Sequence, residues 1–443
     1  RGRVVDSHDY AREALSKGAA LVVCERALGI EGEVLVRDGR ESFALLSANL
    51  HGNAARRLHI TAVTGTNGKT TVSTLIKQLL EGAGHTVGVI GTMYSQIDQM
   101  EIPAKYTTPE AGDLHALFAR MEQAGCTHVV MEASSQALAQ KRLFGIQFKS
   151  AVFTNLTQDH LDYHGTMEDY FLAKRQLFFQ CEHAAINIDD PYGQRLAAQG
   201  ELPCPVTTFS DKLDEADYTA RGIELHAGNV RFEMVGKGFI HRVRFPMPGL
   251  YSCQNALAAA VAAILAGVAP ATACEGLSNS RGVRGRCEVL YNKKFTVICD
   301  FAHTADGIEN VLAGLAPFAK GRVVVLFGCA GDRDAAKRPP MARAACKYAD
   351  IVVLSSDNPR SEDPYKILGE VEPYLKGSGK PYYVQADRRV AITFALGLLQ
   401  EDDLLVLCGK GHEDYQVIDG VTVYLDEHRI VADWLLENGL TEG

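Results

Sequence analysis

The chain has 443 residues, of which 47% are hydrophobic and 22% are charged, and its formal net charge is -9. This length is too great for one typical hydrophobic core and predicts about three domains. The negative net charge and the lack of a run rich in lysine and arginine argue against a nucleic-acid-binding protein.

The cysteines and the most apolar segment indicate the cellular location of the protein. The 11 cysteines are scattered singly, with no C-x-x-C pair, which predicts reduced thiols in a cytoplasmic protein. The most apolar stretch, residues 256–271, is rich in alanine and contains Gly267 and Pro270. It is shorter than the roughly 20 residues that span a bilayer, so we expect a packed helix and no membrane insertion.

Residues 1–58 form the first predicted segment. They predict a short α/β stretch, with a strand at 19–24 and a helix at 40–50. This stretch is too small for a full domain, and it begins at Arg1 without an initiator methionine. We therefore expect residues 1–58 to be a truncated N-terminal α/β domain.

From residue 59 onward, apolar strands alternate with helical periods, which predicts a parallel βαβ sheet. The predicted strands are 60–63, 87–90, 127–131, 151–153 and 184–188. Between 206 and 245 the apolar period falls to two, which predicts a small antiparallel subdomain. We expect these segments and the alanine-rich helix to form a central domain over residues 59–286.

A second βαβ series is predicted after residues 278–286, which carry little hydrophobic pattern. Its predicted strands are 295–299, 323–327, 351–354 and 404–407. The sequence thus predicts an α/β protein with a Rossmann-like C-terminal domain over residues 287–443.

A glycine-rich segment follows the first strand of the central domain and opens an apolar helix. Backbone N–H groups of such a loop approach phosphate oxygens, while the helix dipole and Lys69 neutralise their charge and Thr70 can hold Mg²⁺. Val63 stands where G-x-x-x-x-G-K-[ST] has its first glycine, which disfavours an ordinary kinase or GTPase. The alternative is a tight turn that only caps the helix. The candidate nucleotide-binding residues are Gly65, Thr66, Asn67, Gly68, Lys69, Thr70 and Thr71.

Polar residues follow two further strands of the central domain. Glu132 comes directly after strand 127–131, and N-L-T-Q-D-H-L-D-Y-H-G follows the next strand. Ligands of such sheets bind outside the carboxyl ends of the strands, so Glu132 is a candidate Mg²⁺ ligand. His160 is a candidate ligand of a second metal, while Asp159 and Asp162 are expected to brace the loop. Taken alone, Glu132 would more often be a cap or a surface residue.

Lys174 lies inside an apolar, helix-like run. Such surroundings would desolvate its ammonium group and lower its pKa. The alternative is a surface lysine whose side chain reaches out to solvent.

Together these segments closely resemble the Mur ligase family of peptidoglycan synthesis. The resemblance extends from about residue 41 to the end and is carried by G-T-N-G-K-T-T, M-E-A-S-S, N-L-T-Q-D-H-L-D-Y-H-G and Y-F-L-A-K-R-Q-L-F. It implies a cytoplasmic, ATP-dependent ligase with catalytic roles for Lys69, His160 and Lys174. It also implies that carbon dioxide carbamylates Lys174, which then helps Thr70, Glu132 and His160 to hold Mg²⁺. We expect a monomer.

The resemblance assigns further residues to the two nucleotide substrates. Those implied to bind the UDP-muramoyl peptide are Thr107, Thr108, Ser134, Gln140 and Arg142. Those implied to contact ATP are Asn255, Arg286, Asp300 and His303. Capping would explain Asp300 nearly as well.

The segment Asp357-Asn358-Pro359-Arg360 resembles the one in family members that add meso-diaminopimelate, and relatives that add lysine differ there. Diaminopimelate has one carboxylate more than lysine, and Arg360 can bind that group bidentately. Arg333 in G-C-A-G-D-R-D, with Gly409 and Glu413 in G-K-G-H-E, resembles other contacts to the amino acid.

The resemblance implies a complete reaction. ATP phosphorylates the terminal glutamyl carboxylate of UDP-N-acetylmuramoyl-L-alanyl-D-glutamate, and the amine of meso-diaminopimelate attacks the acyl phosphate, with release of ADP and phosphate. One alternative is another ligase with the same loop, such as a folylpolyglutamate synthetase or another Mur enzyme, against which D-N-P-R and G-D-R-D argue. A silent protein that binds ATP or a nucleotide sugar is the other alternative, which the four residues Lys69, Glu132, His160 and Lys174 disfavour.

Overall fold

The computed structural model describes residues 6–97 and 100–440. The described residues up to Thr219, together with Leu257–Ala273, form one compact unit, and Ala220–Ala256 with the residues from Cys274 onward form a second. Each unit contains a largely parallel sheet connected through helices, so the expected α/β class is confirmed. Within the described ranges, no helix is long and apolar enough to cross a membrane.

The first unit is built on one large sheet, beside which β1 and β2 form a small parallel pair. Its strands are β1 (Val22–Cys24), β2 (Glu33–Leu35), β3 (His59–Thr64), β4 (Val87–Ile90), β5 (Tyr94–Ile97), β6 (Met100–Pro103), β7 (His128–Glu132), β8 (Phe148–Phe153), β9 (Cys181–Asn187) and β10 (Val206–Ser210). The order in the large sheet is β10-β9-β8-β3-β7-β4-β5-β6, and the strands from β10 to β4 run parallel. The loops after β3, β7 and β8 therefore meet at one edge.

Helices connect these strands and bury the apolar faces of the sheet. They are α1 (Ala11–Ser16), α2 (Gly39–Leu50), α3 (Lys69–Gly82), α4 (Ala111–Gln123), α5 (Ser135–Ala139), α6 (Leu161–His164), α7 (Met167–Arg175) and α8 (Pro191–Ala197). The central strand β3 is buried by these helices, and its residues Ile60, Ala62 and Val63 are all 0% exposed. A rigid central strand fixes the start of the loop that follows it.

Three elements cross the boundaries between the units in sequence: β11 (Tyr218–His226), α9 (Leu250–Leu265) and α10 (Pro270–Ser278). The strands of the second unit are β12 (Asn229–Gly236), β13 (Phe239–Phe245), β14 (Glu288–Asn292), β15 (Thr296–Asp300), β16 (Val323–Cys329), β17 (Ile351–Ser356), β18 (Tyr382–Gln385), β19 (Leu404–Cys408), β20 (Tyr415–Ile418) and β21 (Val421–Tyr424). Its helices are α11 (Ala305–Leu315), α12 (Arg338–Tyr348), α13 (Pro364–Lys376), α14 (Arg388–Gly397) and α15 (Glu427–Glu437).

The C-terminal sheet of the second unit has the order β14-β15-β19-β16-β17-β18. All of its neighbouring strands pair in parallel except β14, which runs antiparallel to β15. The predicted strands of the second βαβ series are thus confirmed as β15, β16, β17 and β19. The loops after these strands gather at one edge, as in the first unit.

Two expectations need correction. The antiparallel prediction for residues 206–245 holds for the hairpin β12–β13, but β10 pairs in parallel with β9. The reason is that the chain between β9 and β10 contains the helix α8. This crossover connection carries the chain back to the other end of the sheet, so that β10 can run parallel to β9. In addition, Glu132 does not follow its strand but is the last residue of β7.

Candidate active site

The glycine-rich loop between β3 and α3 has a backbone that requires its glycines. Gly65 has φ 151° and Gly68, the residue that caps α3, has φ 86°. A Cβ on Gly65 would collide with the hydroxyl of Thr154, which follows β8. Glycine at both positions lets the loop turn sharply and presents the N-terminus of α3, a site suited to phosphate.

The segment after β8 holds this loop through several hydrogen bonds. The backbone N–H groups of Thr66 and Asn67 donate to Asn155, to its carbonyl and its side-chain oxygen respectively, each at 2.9 Å. Thr154 Oγ1 donates to the Asn67 carbonyl at 2.7 Å, and the N–H of Thr157 donates to Thr66 Oγ1 at 3.0 Å. Asn155 opens the segment N-L-T-Q-D-H-L-D-Y-H-G that the sequence singled out, but neither it nor Thr154 was given a role, although their position after a neighbouring parallel strand was a usable signal.

Two lysine side chains meet at the carbonyl of Gly65. Lys69 Nζ donates to it at 3.0 Å, and Lys174 Nζ donates to it at 2.8 Å. Lys174 lies on α7 and is only 1% exposed, so the surface alternative for this residue is wrong. Burial, with the nearby Lys69 charge, holds the pKa of Lys174 well below its usual value. The ring of Tyr170 lies 4.7 Å from Lys174 Nζ.

A buried carboxylate lies beside the start of α3. Glu132 is 1% exposed, and its Oε2 accepts hydrogen bonds from Thr70 Oγ1 at 3.2 Å and Thr92 Oγ1 at 3.0 Å. The N–H of Thr92 donates to Glu132 Oε1 at 2.9 Å. The structure thus brings together the hydroxyl of Thr70 and the carboxylate of Glu132, as the sequence predicted.

This oxygen pair fits Mg²⁺. Among residues 6–97 and 100–440, no three side chains of histidine, cysteine, aspartate or glutamate converge as a metal site. Mg²⁺ does not need such a cage, because it usually takes one or two carboxylates and completes its shell with water and substrate phosphates. Thr70 and Glu132 supply oxygen ligands of that kind.

His160 lies in the loop after β8. Its Nε2 is 3.5 Å from Asp159 Oδ2, and its ring centre is 6.2 Å from that of Tyr170. Partial burial lowers the pKa of His160; the charge of Asp159 opposes this shift, and the charges of Lys69 and Lys174 reinforce it. The neutral imidazole, which is the form that binds metals, is therefore favoured. Asp159 accepts the N–H of His160 at 2.8 Å, and a bracing role for Asp159 and Asp162 stays a prediction.

The residues expected to bind the UDP-muramoyl peptide lie in one hydrogen-bond network with Glu132. Thr108 Oγ1 donates to the Glu132 carbonyl at 2.8 Å and accepts the N–H of Ser134 at 3.0 Å. Arg142 Nη1 donates to the Thr108 carbonyl at 2.8 Å. Thr108 therefore links the carboxyl end of β7 to Arg142, because it hydrogen-bonds to both Glu132 and Arg142.

The network continues through Gln140. Its Oε1 accepts two hydrogen bonds from Arg142, at 2.8 and 3.1 Å, and its Nε2 donates to the hydroxyl of Tyr163 at 3.0 Å. Thr107 is linked to Glu132 through Thr92, because Thr107 Oγ1 lies 3.0 Å from Thr92 Oγ1. Tyr163 was not singled out from the sequence, because a tyrosine in a polar loop carries no distinctive pattern.

In the second unit, Lys410 joins the two segments expected to bind the amino acid. Its side chain is 0% exposed, and Nζ donates to Asn358 Oδ1 at 2.8 Å and Glu413 Oε2 at 2.7 Å. Asn358 Nδ2 donates to Glu413 Oε2 at 3.1 Å, and Asp357 Oδ1 lies 3.8 Å from Lys410 Nζ. The ammonium of Lys410 thus fixes the carboxylates and the amide around it.

Arg360 lies at the end of the D-N-P-R segment with φ 55°, a left-handed backbone. Its Nη1 donates to the carbonyl of Gly331 at 2.7 Å. A Cβ on Gly331 would collide with the carbonyl of Pro359, so only glycine allows this close approach. The structure thereby brings D-N-P-R beside G-D-R-D, where Arg333 is exposed.

Of the residues expected to contact ATP, Asp300 ends β15 in a buried position. Its two carboxylate oxygens accept the N–H groups of Cys287 and Ala302, each at 2.7 Å. Burial raises the pKa of Asp300, while these hydrogen bonds and Arg286 oppose that rise. Asp300 thus braces the backbone around it, the cap of α11 is Thr304, and the contact of Asp300 with ATP stays a prediction.

Two of the other expected ATP contacts, Arg286 and His303, lie near enough to Asp300 for their charges to lower its pKa. The guanidinium of Arg286 lies 4.5 Å from the ring centre of Phe301, and the exposed His303 has Nδ1 2.8 Å from the Phe301 carbonyl. Asn255 lies one turn after Tyr251 on α9, and the hydroxyl of Tyr251 contacts the sulfur of Cys287.

The chain is similar to known proteins over nearly its whole length. The Mur ligase middle domain matches residues 63–263, and the Mur ligase glutamate ligase domain matches residues 285–411. A relative from Clostridium botulinum, named UDP-N-acetylmuramoyl-L-alanyl-D-glutamate--2,6-diaminopimelate ligase, is 39% identical over 98% of this chain and 91% of its own. A relative of the same name from Geobacillus thermodenitrificans is 41% identical over 97% of this chain and 90% of its own.

A solved structure titled with the same enzyme name superposes with a TM-score of 0.73 and 34% sequence identity. The match covers 98% of this chain and 90% of the solved chain. These matches extend over nearly the whole sequence and confirm the resemblance that the motifs indicated. The chain therefore belongs to the Mur ligase family.

Proposed function

We propose that this protein joins meso-diaminopimelate to UDP-N-acetylmuramoyl-L-alanyl-D-glutamate in peptidoglycan precursor synthesis. As a Mur ligase it is an ATP-dependent ligase. The observation that carries the proposal is the meeting of the Lys69 and Lys174 side-chain nitrogens at the Gly65 carbonyl of a phosphate loop. A lysine at a helix N-terminus, as Lys69 is in α3, suits a reaction between two anions.

The choice of amino acid rests on the second unit. Asp357 and Asn358 are buried, and Lys410 holds Asn358 against Glu413. Arg360 is only partly buried and hydrogen-bonded to Gly331, so its guanidinium offers further N–H groups to a ligand carboxylate. The relatives named for diaminopimelate addition support the same choice.

The mechanism begins with charge neutralisation. The glutamyl carboxylate and the triphosphate repel each other, and Lys69 with the N-terminus of α3 neutralises the phosphate charge. Mg²⁺ bound to Thr70 and Glu132 would withdraw electrons from the phosphate oxygens. An oxygen of the carboxylate attacks the terminal phosphorus of ATP, the bond to ADP breaks, and an acyl phosphate remains.

The second half of the reaction forms the amide bond. The neutral amine of meso-diaminopimelate attacks the acyl carbon, the resulting tetrahedral intermediate loses phosphate, and the amine gives up a proton. Arg360, Arg333 and Glu413 would orient the amino acid for this attack. No covalent bond to the protein is required, in keeping with a site built from charged groups.

We also propose that Lys174 is carbamylated. A lysine reacts with carbon dioxide only as the neutral amine, and burial beside Lys69 favours that form. The nitrogen forms a bond to the carbon of carbon dioxide and releases a proton, which leaves an anion. This anion, with Glu132 and His160, would supply further oxygen and nitrogen ligands for Mg²⁺.

The remaining parts of the proposal concern domains and location. We assign residues 1–58 to the UDP-substrate-binding domain, 59–286 to the ATP-binding domain and 287–443 to the amino-acid-binding domain. All 11 cysteines are free thiols, in keeping with a cytoplasmic protein. We assign the active protein as a monomer.

The proposed substrates predict a selective response in a phosphate-release assay. With ATP, Mg²⁺ and UDP-N-acetylmuramoyl-L-alanyl-D-glutamate, we expect meso-diaminopimelate to support turnover at least about 10²-fold better than L-lysine or D-glutamate, measured as kcat/KM. The reason is that lysine lacks the carboxylate that Arg360 would bind.

Mass spectrometry of the product provides the control, because it must show the precursor extended by one diaminopimelate. Equal rates with L-lysine, or phosphate release that does not need an amino acid, would contradict the proposal. Turnover with L-glutamate and a folate, but not with the muramoyl precursor, would favour the folylpolyglutamate synthetase alternative.

A further inference from the structure

A buried ion pair in the second unit has no part in the reaction described so far. The side chains of Arg388 and Glu427 are both 0% exposed, and Arg388 Nη2 lies 2.8 Å from Glu427 Oε1. Each residue begins a helix, Arg388 in α14 and Glu427 in α15. A carboxylate is favoured at a helix N-terminus, whereas an arginine is not. Because buried ion pairs are often no more stable than packed apolar pairs, Arg388 needs another explanation.

The guanidinium of Arg388 makes three directed hydrogen bonds. Nε donates to Glu427 Oε1 at 2.8 Å, Nη1 donates to the Ser356 carbonyl at 3.1 Å, and Nη2 donates to the Cys408 carbonyl at 2.8 Å. Ser356 is the last residue of β17, and Cys408 is the last residue of β19. One side chain therefore links the carboxyl ends of two strands.

These two strands are not neighbours in the sheet. The order β15-β19-β16-β17 places β16 between them, so their backbones do not pair with each other. The residues that follow are Asp357, which opens D-N-P-R, and Gly409, which opens G-K-G-H-E. A Cβ on Gly409 would lie 2.7 Å from Asp357 Oδ2 and 3.6 Å from Arg388 Nη2, so the two segments approach closely at this point.

We infer that Arg388, held in place by Glu427, is a positioning residue that sets the spacing between the two segments that bind the incoming amino acid. The inference rests on the proposed function of those segments. Arg388 is fully buried and acts through the backbone of β17 and β19. Its planar fork holds its acceptors at fixed angles, which a lysine ammonium cannot reproduce.

The first test replaces Arg388 by lysine, which keeps the positive charge. For Arg388→Lys we expect the KM for meso-diaminopimelate to rise about tenfold or more while the KM for ATP stays within about twofold. Arg322→Lys is the matched control, because Arg322 also pairs with a buried carboxylate, Asp403, and donates to a backbone carbonyl, at Leu398. Arg322 precedes the start of β16, away from the carboxyl ends, so both KM values should remain unchanged.

The second test separates positioning from folding stability. The paired variant Arg388→Leu with Glu427→Leu removes both charges, so neither is left buried alone. We expect a cooperative thermal unfolding transition near that of the wild type, together with the same rise in KM for meso-diaminopimelate. Wild-type KM values in this folded variant would overturn the inference. If the paired variant does not fold, Arg388→Lys decides, and wild-type KM values there would overturn the inference too.

The amino acid that the wild type accepts distinguishes failure of the inference about Arg388 from failure of the proposed function. If the wild type uses meso-diaminopimelate and Arg388→Lys has an unchanged KM for it, the inference about Arg388 fails alone. If the wild type rejects meso-diaminopimelate but uses another amino acid, the proposed function fails. The same KM comparison with that other amino acid then still decides the role of Arg388.

Discussion

Lys174→Ala is expected to lose turnover by about 10²- to 10³-fold or more, with partial recovery when formate or acetate is added. The variant removes the amine that would carry the carbamate, and a short carboxylate can occupy the space left in the buried site. Steady-state phosphate release, measured with and without added carboxylate, checks both parts of this prediction.

Controls for Lys174 must separate charge, volume and fold. Lys174→Met fills most of the space and is expected to be folded but inactive, because it carries neither an ammonium nor a carbamate. Lys174→Arg keeps a positive charge but cannot be carbamylated, and it should be inactive as well. Lys149→Ala removes an exposed lysine that pairs with Glu182, and wild-type rates are expected.

Two results would contradict this account of Lys174. Wild-type rates in Lys174→Ala would exclude any role for the residue in turnover. An active Lys174→Arg, without rescue of Lys174→Ala by carboxylates, would instead show that the ammonium group is the functional form. In that case the cation at the Gly65 carbonyl, rather than a metal-binding anion, would be what the reaction needs.

Arg360→Lys is expected to raise the KM for meso-diaminopimelate about tenfold to a hundredfold, with little change in the KM for ATP. Lysine keeps the charge but loses the planar fork that can bind a carboxylate through two hydrogen bonds. The preference for meso-diaminopimelate over L-lysine should fall in parallel. Initial-rate measurements with each substrate varied in turn give both constants.

The backbone at Arg360 affects the choice of variants. Its φ of 55° is unfavourable for most side chains, but asparagine tolerates it well. Arg360→Asn therefore removes the guanidinium without adding backbone strain, and it should behave like Arg360→Lys or worse. Arg429→Ala, at a residue whose side chain is 68% exposed, controls for general loss of positive charge. Equal increases in both KM values for Arg360→Lys would remove Arg360 from amino-acid selection.

Much of the fold could be predicted because buried parallel strands are nearly continuous apolar runs. The strand prediction at 87–90 matches β4 residue for residue, and 323–327 falls within β16. The edge strand β18 was missed, because Tyr382 and Tyr383 stay partly exposed and the strand lacks such a run. β10 was assigned the wrong direction, because a two-residue period shows a half-buried strand but not the direction of its neighbour.

Some residues of the candidate site could be predicted from the sequence and others could not. Glu132 at the carboxyl end of β7 and Lys69 at the start of α3, after the glycine-rich loop, were predictable from their position along the chain. Lys410 and Arg388 were missed, because a lysine between glycines and an arginine at a helix start usually lie on the surface. Only the packing of distant segments around them makes these two cations buried. Their importance therefore follows from tertiary structure and not from a local pattern.

At the phosphate loop, Lys69 and the N-terminus of α3 are proposed to let a carboxylate attack ATP and form an acyl phosphate. The most direct measurement uses UDP-N-acetylmuramoyl-L-alanyl-D-glutamate with ¹⁸O in the terminal glutamyl carboxylate, and mass spectrometry of the phosphate released in the presence of meso-diaminopimelate. The account predicts that each phosphate formed carries one ¹⁸O atom from the carboxylate. Unlabelled phosphate, formed alongside the extended peptide, would contradict it.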